Sequence, residues 1–408
     1  MMISRRTVLS GLTMFGVSAC VSGGAAGPVV AESWPAVPNA GFDRWLEGML
    51  GRAAARGISA PTQGVLMQAG YLPGVIERSQ TQIEYRRSTE DYLAIATAPD
   101  RVSLGRAALA RHAGLLARIE GTYGVAPRIV TAIWGLESRY GTKMGDAPLI
   151  SALATLSYAG RRSEFFEAQL IAALHILDRG DVTAARMTGS WAGAMGHTQF
   201  IATTFLASAV DFTGDGRRDI WGADPSDALA STAAYLRDAG WHRGGLWGVE
   251  VALPAGFDRG LAGRGKGHSV AFWRDRGVQL ATGGTVPDHG AASLFPTGGT
   301  GAPAFLLFRN FNILLRYNNA VNYGLGIGVL SDRIAGGGPL RGQFAPDGAG
   351  MTIYQRIGLQ RKLQAAGYDP GTPDGVIGDM TRAAIAAYQR DHGLPVTAEP
   401  SLPLLSLM

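Results

Sequence analysis

The chain has 408 residues, 46% apolar and 17% charged, a balance that allows two or three folded domains and excludes an intrinsically disordered chain. Its 37 basic and 32 acidic side chains give a net charge of +5, or +3 once Arg5 and Arg6 near the N-terminus are set aside, and no Lys/Arg run marks a nucleic-acid surface. A single cysteine, Cys20, excludes disulfides within the chain and cysteine-rich metal sites.

Residues 1–20 read as an export signal. "SRRTVLSGLTMFGVSAC" places Arg5-Arg6 before an apolar stretch, Val8 to Val17, that is too short to span a bilayer. The arginine pair resembles a twin-arginine signal. "VSAC" resembles a bacterial lipobox, in which Cys20 would be lipidated and anchor the chain to a membrane. Cleavage after Ala31, in "VVA", is the competing reading and would release a soluble form. Both place the mature chain outside the cytoplasm, in the periplasm. Val21 rather than Asp after Cys20 favours the outer membrane under enteric-type sorting.

After a linker over 21–40, the region from 41 to about 120 is predicted to be largely helical. In "RAALARHAGLLARIEGTYG", Leu109, Leu116 and Ile119 share a face and Gly121 reads as the stop. The next helix should begin at Pro127, carry Ile129, Ile133 and Glu137 on one stripe, and stop around Tyr140-Gly141. Helices over 163–180, with Ser163 as N-cap, and over 226–241 follow the same formula. Residues 249–303 change to Gly, Pro and short apolar alternations, which predicts a small mixed subdomain inserted into a helical domain of 41–335. Helix returns near Phe311, 336–352 read as a linker, and 353–408 as a compact module. No fixed-period repeat is found. The fold class is mainly α.

Three stretches carry chemistry. In "TAIWGLESRYGT" an acid, Glu137, sits on an apolar stripe. There a carboxyl loses hydration, keeps its proton more readily and can serve as general acid. The alternative is a helix-end Glu that turns to solvent and pairs with Arg139. In "GSWAGAMGHTQF", small residues expose backbone, Gln199 offers an amide and Phe200 a flat face for a polyhydroxylated or amide-bearing ligand; close helix packing would need the same small residues. In "FNILLRYNNAVNYG", Asn318, Asn319 and Asn322 interleave with Tyr317 and Tyr323, a pattern suited to sugar hydroxyls and N-acetyl groups or to a polar turn between helices.

Together, "ESRYGT", "SWAGAMGHTQF", "DFTGDGRRDIW" and "RYNNAVNYG", in that order, resemble the membrane-bound transglycosylase B family of lytic murein transglycosylases. The resemblance covers roughly residues 40 to 335. It implies a lysozyme-like helical domain that cleaves the β-1,4 bond between N-acetylmuramic acid and N-acetylglucosamine without water, leaving 1,6-anhydro-N-acetylmuramic acid. It assigns Glu137 as the single acid/base, and Ser190, Gln199, Tyr317, Asn318 and Tyr323 to substrate; Ser138 and Phe200, beside these residues in sequence, are further candidates for substrate contact. No cofactor is required. The alternatives are a muramidase-type hydrolase with a second carboxylate (Asp146, Glu164, Glu167 and Asp211 are of the right type) and a non-catalytic wall-binding scaffold.

"DFTGDGRRDIWG" also resembles an EF-hand loop. Asp211, Thr213, Asp215, Arg217 (through its carbonyl) and Asp219 occupy places one, three, five, seven and nine, and Gly216 the sixth. The twelfth place holds Gly222 instead of an acid, with Asp224 and Asp227 too late in sequence. A structural calcium, a sodium ion and a metal-free Asp-Gly turn all remain open. Finally, "LQRKLQAAGYDPGTPDGVIGDMTRAAIAAYQRDHGLPV" resembles the small three-helix peptidoglycan-binding domain, with Thr381 read as a helix cap. Peptidoglycan glycan strands are the implied partner. Cell-wall synthesis or division proteins are left unassigned.

Overall fold

The computed structural model describes residues 34–81 and 88–408; Arg5, Arg6, Cys20 and Ala31, which carry the export and lipidation expectations, lie outside the described residues. No described helix is long and apolar enough to cross a membrane. The described chain divides into two compact units that alternate in sequence, one built from 34–81 and 104–240, the other from 88–103 and 241–408.

The N-terminal half is helical: α1 (Ala40–Ala55), α2 (Ala60–Met67), α3 (Pro73–Thr81), α4 (Thr89–Ala96), α5 (Pro99–Arg111), α6 (Ala113–Tyr123) and α7 (Pro127–Ser138). Gly121 lies inside α6 rather than ending it; the stop is Gly124, whose left-handed φ of 74° only glycine adopts cheaply. Next come β1 (Ala147–Pro148), α8 (Leu149–Ala159), α9 (Ser163–Asp178), β2 (Thr188–Gly189), α10 (Ala202–Ser208) and α11 (Ser226–Asp238). Helix α9 is capped at Arg162 without a side-chain bond, so Ser163 is its first residue and not its cap. Helices α8 and α11 are buried along most of their length, α9 through the stretch from Gln169 to Ile176, and α8 packs on α9.

The second unit contains β3 (Gly248–Ala252), β4 (Gly267–His268), α12 (Val270–Arg274), β5 (Gln279–Leu280), β6 (Ala292–Pro296) and β7 (Ala304–Leu307). They form one antiparallel sheet in the order β4-β6-β7-β3-β5, with Val249 opposite Leu306 and Leu294 opposite Leu306 on its other side. Helix α12 covers the sheet through Val270 and Trp273, whose indole N–H donates to the Ala292 carbonyl at 2.9 Å. Then follow α13 (Arg309–Tyr317) and α14 (Val321–Ile334). The helix expected to run on from Phe311 is broken at Asn318, whose Oδ1 accepts from the Ala320 N–H at 3.1 Å and opens the next helix. Gly328 lets Trp247 lie directly on α14, because a Cβ there would stand 2.3 Å from the indole.

The tail is three helices, α15 (Ile353–Ala365), α16 (Asp379–Asp391) and α17 (Leu402–Leu407), around Leu359, Leu363, Ile385 and Tyr388. Thr352 and Gln355 form a capping box at α15. Thr381 is not a cap. It sits inside α16, buried, donating to the Pro370 carbonyl (2.8 Å) and accepting from Gln360 (3.1 Å), and so staples the turn before α16 to α15.

Candidate functional site

Pro127 opens α7, and its missing N–H costs nothing in a first turn. Ile129, Val130, Ile133 and Trp134 are buried, and Glu137 arrives half-buried in the last turn, as the stripe reaches the helix end. The chain then does something uncommon. Arg139 (φ 48°), Tyr140 (φ 58°) and Gly141 (φ 85°) are successively left-handed. For the two residues with a Cβ this costs roughly 1–2 kcal/mol each, so surrounding contacts must hold it.

They are identifiable. Tyr140 folds back over the helix, its ring 5.8 Å from that of Trp134 at 80°, and Gly135 leaves room, since a Cβ there would be 2.4 Å from the tyrosine Cζ. Ser138 Oγ donates to the His197 carbonyl (2.5 Å) and accepts from the Gly141 N–H (2.9 Å). Its hydroxyl is therefore spent, and the residue is 0% exposed. Ser138, expected to touch substrate, faces inward and shapes the turn that carries Glu137.

His197, which carries no pattern of its own in the sequence, is the other half of this clamp. Trp134 Nε1 donates to its Nδ1 (3.1 Å), and its Nε2 lies 2.7 Å from the Gly222 carbonyl. An indole only donates and a carbonyl only accepts, so the proton is on Nε2 and the ring is neutral. Burial lowers its basicity, opposed by the bond to Gly222. The ring also closes on Gly141, where a Cβ would be 2.5 Å from Cε1.

The small-residue stretch 189–200 proves to be a run of tight turns rather than a helix contact. Gly189 pairs with Ala147 in β1, Met195 bridges Gly189 and Phe200, and the Ser190 N–H donates to the Ala194 carbonyl at 2.8 Å. Ser190 is half-buried, with Oγ accepting from the Ala194 N–H at 3.0 Å. Gln199, at φ 55°, donates both amide hydrogens, to the Met144 (2.9 Å) and Gly196 (2.8 Å) carbonyls, which fixes its Oε1 away from them. Phe200 is 2% exposed and packs on Tyr235 at 5.9 Å. It is core, not a face for ligand.

The loop 211–222 is closed by an acid that lies beyond its twelfth place in sequence. Asp227, in the first turn of α11, accepts from the N–H groups of Phe212 (2.9 Å), Thr213 (3.1 Å) and Asp219 (2.9 Å). Carboxylate oxygens of Asp211, Asp215 and Asp227 all lie within 4.8 Å of one another. Asp211 also gathers the N–H groups of Gly214, Asp215 and Gly216, which hold its carboxyl below the ordinary range despite some desolvation, whereas burial raises Asp227. Asp219 does not join them. It pairs with Arg186 at 3.0 Å and caps the N–H groups of Trp221 and Gly222. A register read at fixed spacing misses Asp227 because Pro225 and the start of α11 fold it back.

Tyr317, Asn318 and Tyr323 belong to the other unit. The two rings lie parallel, 10° apart at 6.4 Å, on α13 and α14, with Tyr317 half-buried and Tyr323 at 4% exposure. Asn318 is 7% exposed and serves the break between the helices.

The acids named as second carboxylates are committed elsewhere. Asp146 accepts from Trp34 (2.9 Å), Glu167 pairs with Arg52 (3.1 Å), and Asp211 is wrapped by its own loop. Glu164 lines a separate hollow with Trp45, Tyr158 and Glu167.

Comparison with known proteins gives a consistent answer. Residues 41–332 match the Transglycosylase SLT domain, and residues 355–408 a peptidoglycan binding domain. Membrane-bound lytic murein transglycosylase B of Escherichia coli K12 is 34% identical over 245 residues, 58% of this chain and 64% of that protein, so the chain spans somewhat under two thirds of this relative's length. SltB3 of Pseudomonas aeruginosa, solved with NAG-NAM-pentapeptide, superposes with a TM-score of 0.73 at 47% identity, covering 90% of this chain and all of that one. Escherichia coli Slt35, solved with calcium, gives a TM-score of 0.60 at 29% identity over 73% of this chain and 93% of its own.

The neutral state of His197 makes the clamp sensitive to acid. Burial also lowers His112, whose ring lies 5.4 Å from Trp134. Both imidazoles take up protons at lower pH in the folded chain than in the unfolded one. As pH falls through the ordinary His value of about 6.5, the unfolded state gains protons first and stability declines, by up to about 1.4 kcal/mol per pH unit for each ring. Urea unfolding followed by tryptophan fluorescence should show this decline between pH 7 and 5, and a shallower one in His197→Gln. Equal slopes in the two proteins would contradict the assignment.

Proposed function

Because this chain belongs to the Transglycosylase SLT domain family, we propose that it is a lytic murein transglycosylase, cleaving the muramyl-glucosamine bond of peptidoglycan with Glu137 as the one acid/base. The observation that carries the reading is Glu137 itself, half-buried at the end of α7 on a left-handed turn that Ser138, Tyr140 and His197 hold in place. In the first step the Glu137 carboxyl protonates the glycosidic oxygen as the C1–O bond breaks. The muramyl C6 hydroxyl then attacks C1, and the Glu137 carboxylate takes its proton, so the acid is regenerated and no water is consumed. Support for a non-hydrolytic outcome comes from the engagement of Asp146, Glu167 and Asp211 in other contacts. SltB3 has also been solved with NAG-anhNAM-pentapeptide, the product form of this chemistry.

Gln199 and Ser190 are the groups we place on the substrate side of Glu137, and in the other unit the half-buried Tyr317 offers a sugar-binding face with the buried Tyr323 ring stacked behind it. The module 353–408 would hold the enzyme on its polymer. Cys20 would anchor the exported chain to the outer membrane by a lipid, with cleavage after Ala31 giving a soluble periplasmic form. The acids Asp211, Asp215 and Asp227 fit a hard cation such as calcium or sodium by donor type and spacing, although Asp219 is held by Arg186. The ion would brace the loop whose Gly222 carbonyl receives His197, and it takes no part in the reaction.

Wild-type chain and Glu137→Gln, incubated with purified peptidoglycan, separate the readings by mass spectrometry of the released fragments. Anhydromuramic ends, one water lighter than hydrolytic products and absent with Glu137→Gln, are expected. Reducing ends would mean a hydrolase, and no fragments from a folded, wall-bound chain would mean a scaffold. For the cation, calcium at about 1 mM should raise the thermal midpoint of the wild type and leave that of Asp227→Asn unmoved. An equal rise in both would remove Asp227 from the site.

A further inference from the structure

Residues 336–352, which read from sequence as a linker, are tied down. The Glu250 carboxylate on β3 accepts from the N–H groups of Arg341 (2.9 Å) and Gly342 (2.8 Å), and the Gln343 N–H donates to the Gly301 carbonyl at 2.8 Å. Asp347 closes a turn by accepting from the N–H groups of Ala349 and Met351, both at 2.9 Å. Just beyond the segment, in the first turn of α15, stands an arginine, Arg356, only 5% exposed. A guanidinium does not lose its charge on burial, so it is retained only where carboxylates surround it.

Three do. Arg356 Nη2 donates to Glu90 Oε2 (2.7 Å) and Asp91 Oδ1 (3.2 Å), and Nη1 to Asp347 Oδ2 (2.7 Å). Glu90 is itself 8% exposed. Glu90 and Asp91 belong to α4, not to the C-terminal module, and lie in that helix's first turn, where acids favour the positive end of the dipole. Helix α4 is fastened to α14 at both ends. Thr89 Oγ1 donates to Asn322 Oδ1 (2.9 Å), one residue before Tyr323, and Arg333 Nη1 donates to the Thr97 carbonyl (2.8 Å). Between these bonds Gly326 lets Tyr92 and Ala96 close on α14. A continuous set of bonds therefore runs from α15 through Arg356 and α4 to the helix bearing Tyr323.

We propose that Arg356 is a positioning residue that clamps the C-terminal module onto the α4–α14 pair, so that a glycan strand captured by the module meets Tyr317, whose ring is backed by Tyr323 on α14, in a fixed register. The module then acts as part of the substrate-binding body instead of a mobile tether. This rests on the peptidoglycan-cleaving function proposed above.

Removing Arg356 alone would strand the buried Glu90 carboxylate, so the informative variant is Arg356→Gln with Glu90→Gln, which leaves a neutral pair beside the more exposed Asp91 and Asp347. The chain starting at Val21 contains no cysteine, so labels at Val396→Cys, on the module, and Asn312→Cys, exposed on α13, report the distance between them. Spin-label distance distributions should be narrow in the parent and broad in the double variant. Release of anhydro products from intact sacculi should fall about tenfold, while cleavage of a short soluble glycan and retention on sacculi stay within about twofold. A narrow distribution in the double variant, an unchanged rate on sacculi, or an equal loss on both substrates would each overturn the clamp. If the parent yields no anhydro product from either substrate, the functional reading fails instead, and the distance distribution alone decides whether Arg356 fixes the module.

Discussion

The hydroxyl of Ser138 is the point on which the candidate site turns. It reaches the His197 carbonyl at 2.5 Å and receives the Gly141 N–H at 2.9 Å, joining the end of α7 to the turn that follows it and to the 189–200 segment. Two left-handed side-chain-bearing residues, Arg139 and Tyr140, sit between those bonds. Their conformational cost, roughly 1–2 kcal/mol each, is of the size that two buried hydrogen bonds and a ring contact can offset. The gain is geometric. A helix that simply frayed after Glu137 would let that carboxyl sample many directions, whereas a helix stopped by a clamped left-handed turn holds it in one.

His197 extends the same constraint outward. Its ring takes the Trp134 indole N–H on one side and gives its proton to the Gly222 carbonyl on the other. Helix α7, the Gly-rich turns and the acidic loop therefore meet at one neutral imidazole. The loop in turn is closed by Asp227 and anchored by Arg218, which is buried against Asp181 with Nη2 to Oδ2 at 2.5 Å. This explains why three stretches remote in sequence carry recognisable patterns: each supplies one contact that the others need.

Much of the fold was legible because periodicity survives burial. The stripes of α7, α9 and α11, the shift to short strands after residue 248 and the three-helix tail all follow from apolar spacing and from Gly and Pro punctuation. The functional stretches were legible as patterns, but the direction of single side chains was not. Ser138 and Phe200 sit beside the chemistry in sequence and point into the core, because a left-handed turn and a hairpin bridge rotate them inward. A lone histidine among glycines and alanines, as His197 is, shows no role until Trp134 and Gly222 are placed beside it. Asp227 falls outside the loop pattern because loop spacing counts residues, whereas coordination counts distance. Arg356 carries no sequence signal at all; its partners Glu90 and Asp91 lie some 265 residues away.

The clamp's claim on Glu137 is tested most directly by Ser138→Ala, a change that deletes one buried oxygen and no substrate contact. The measurement is the turnover rate for anhydro product on saturating peptidoglycan, with retention on sacculi recorded alongside. A folded Ser138→Ala protein that binds sacculi normally but turns over about a hundredfold more slowly is the predicted result. Wild-type turnover from that protein would contradict the account, because Glu137 would then need no clamp to find its place.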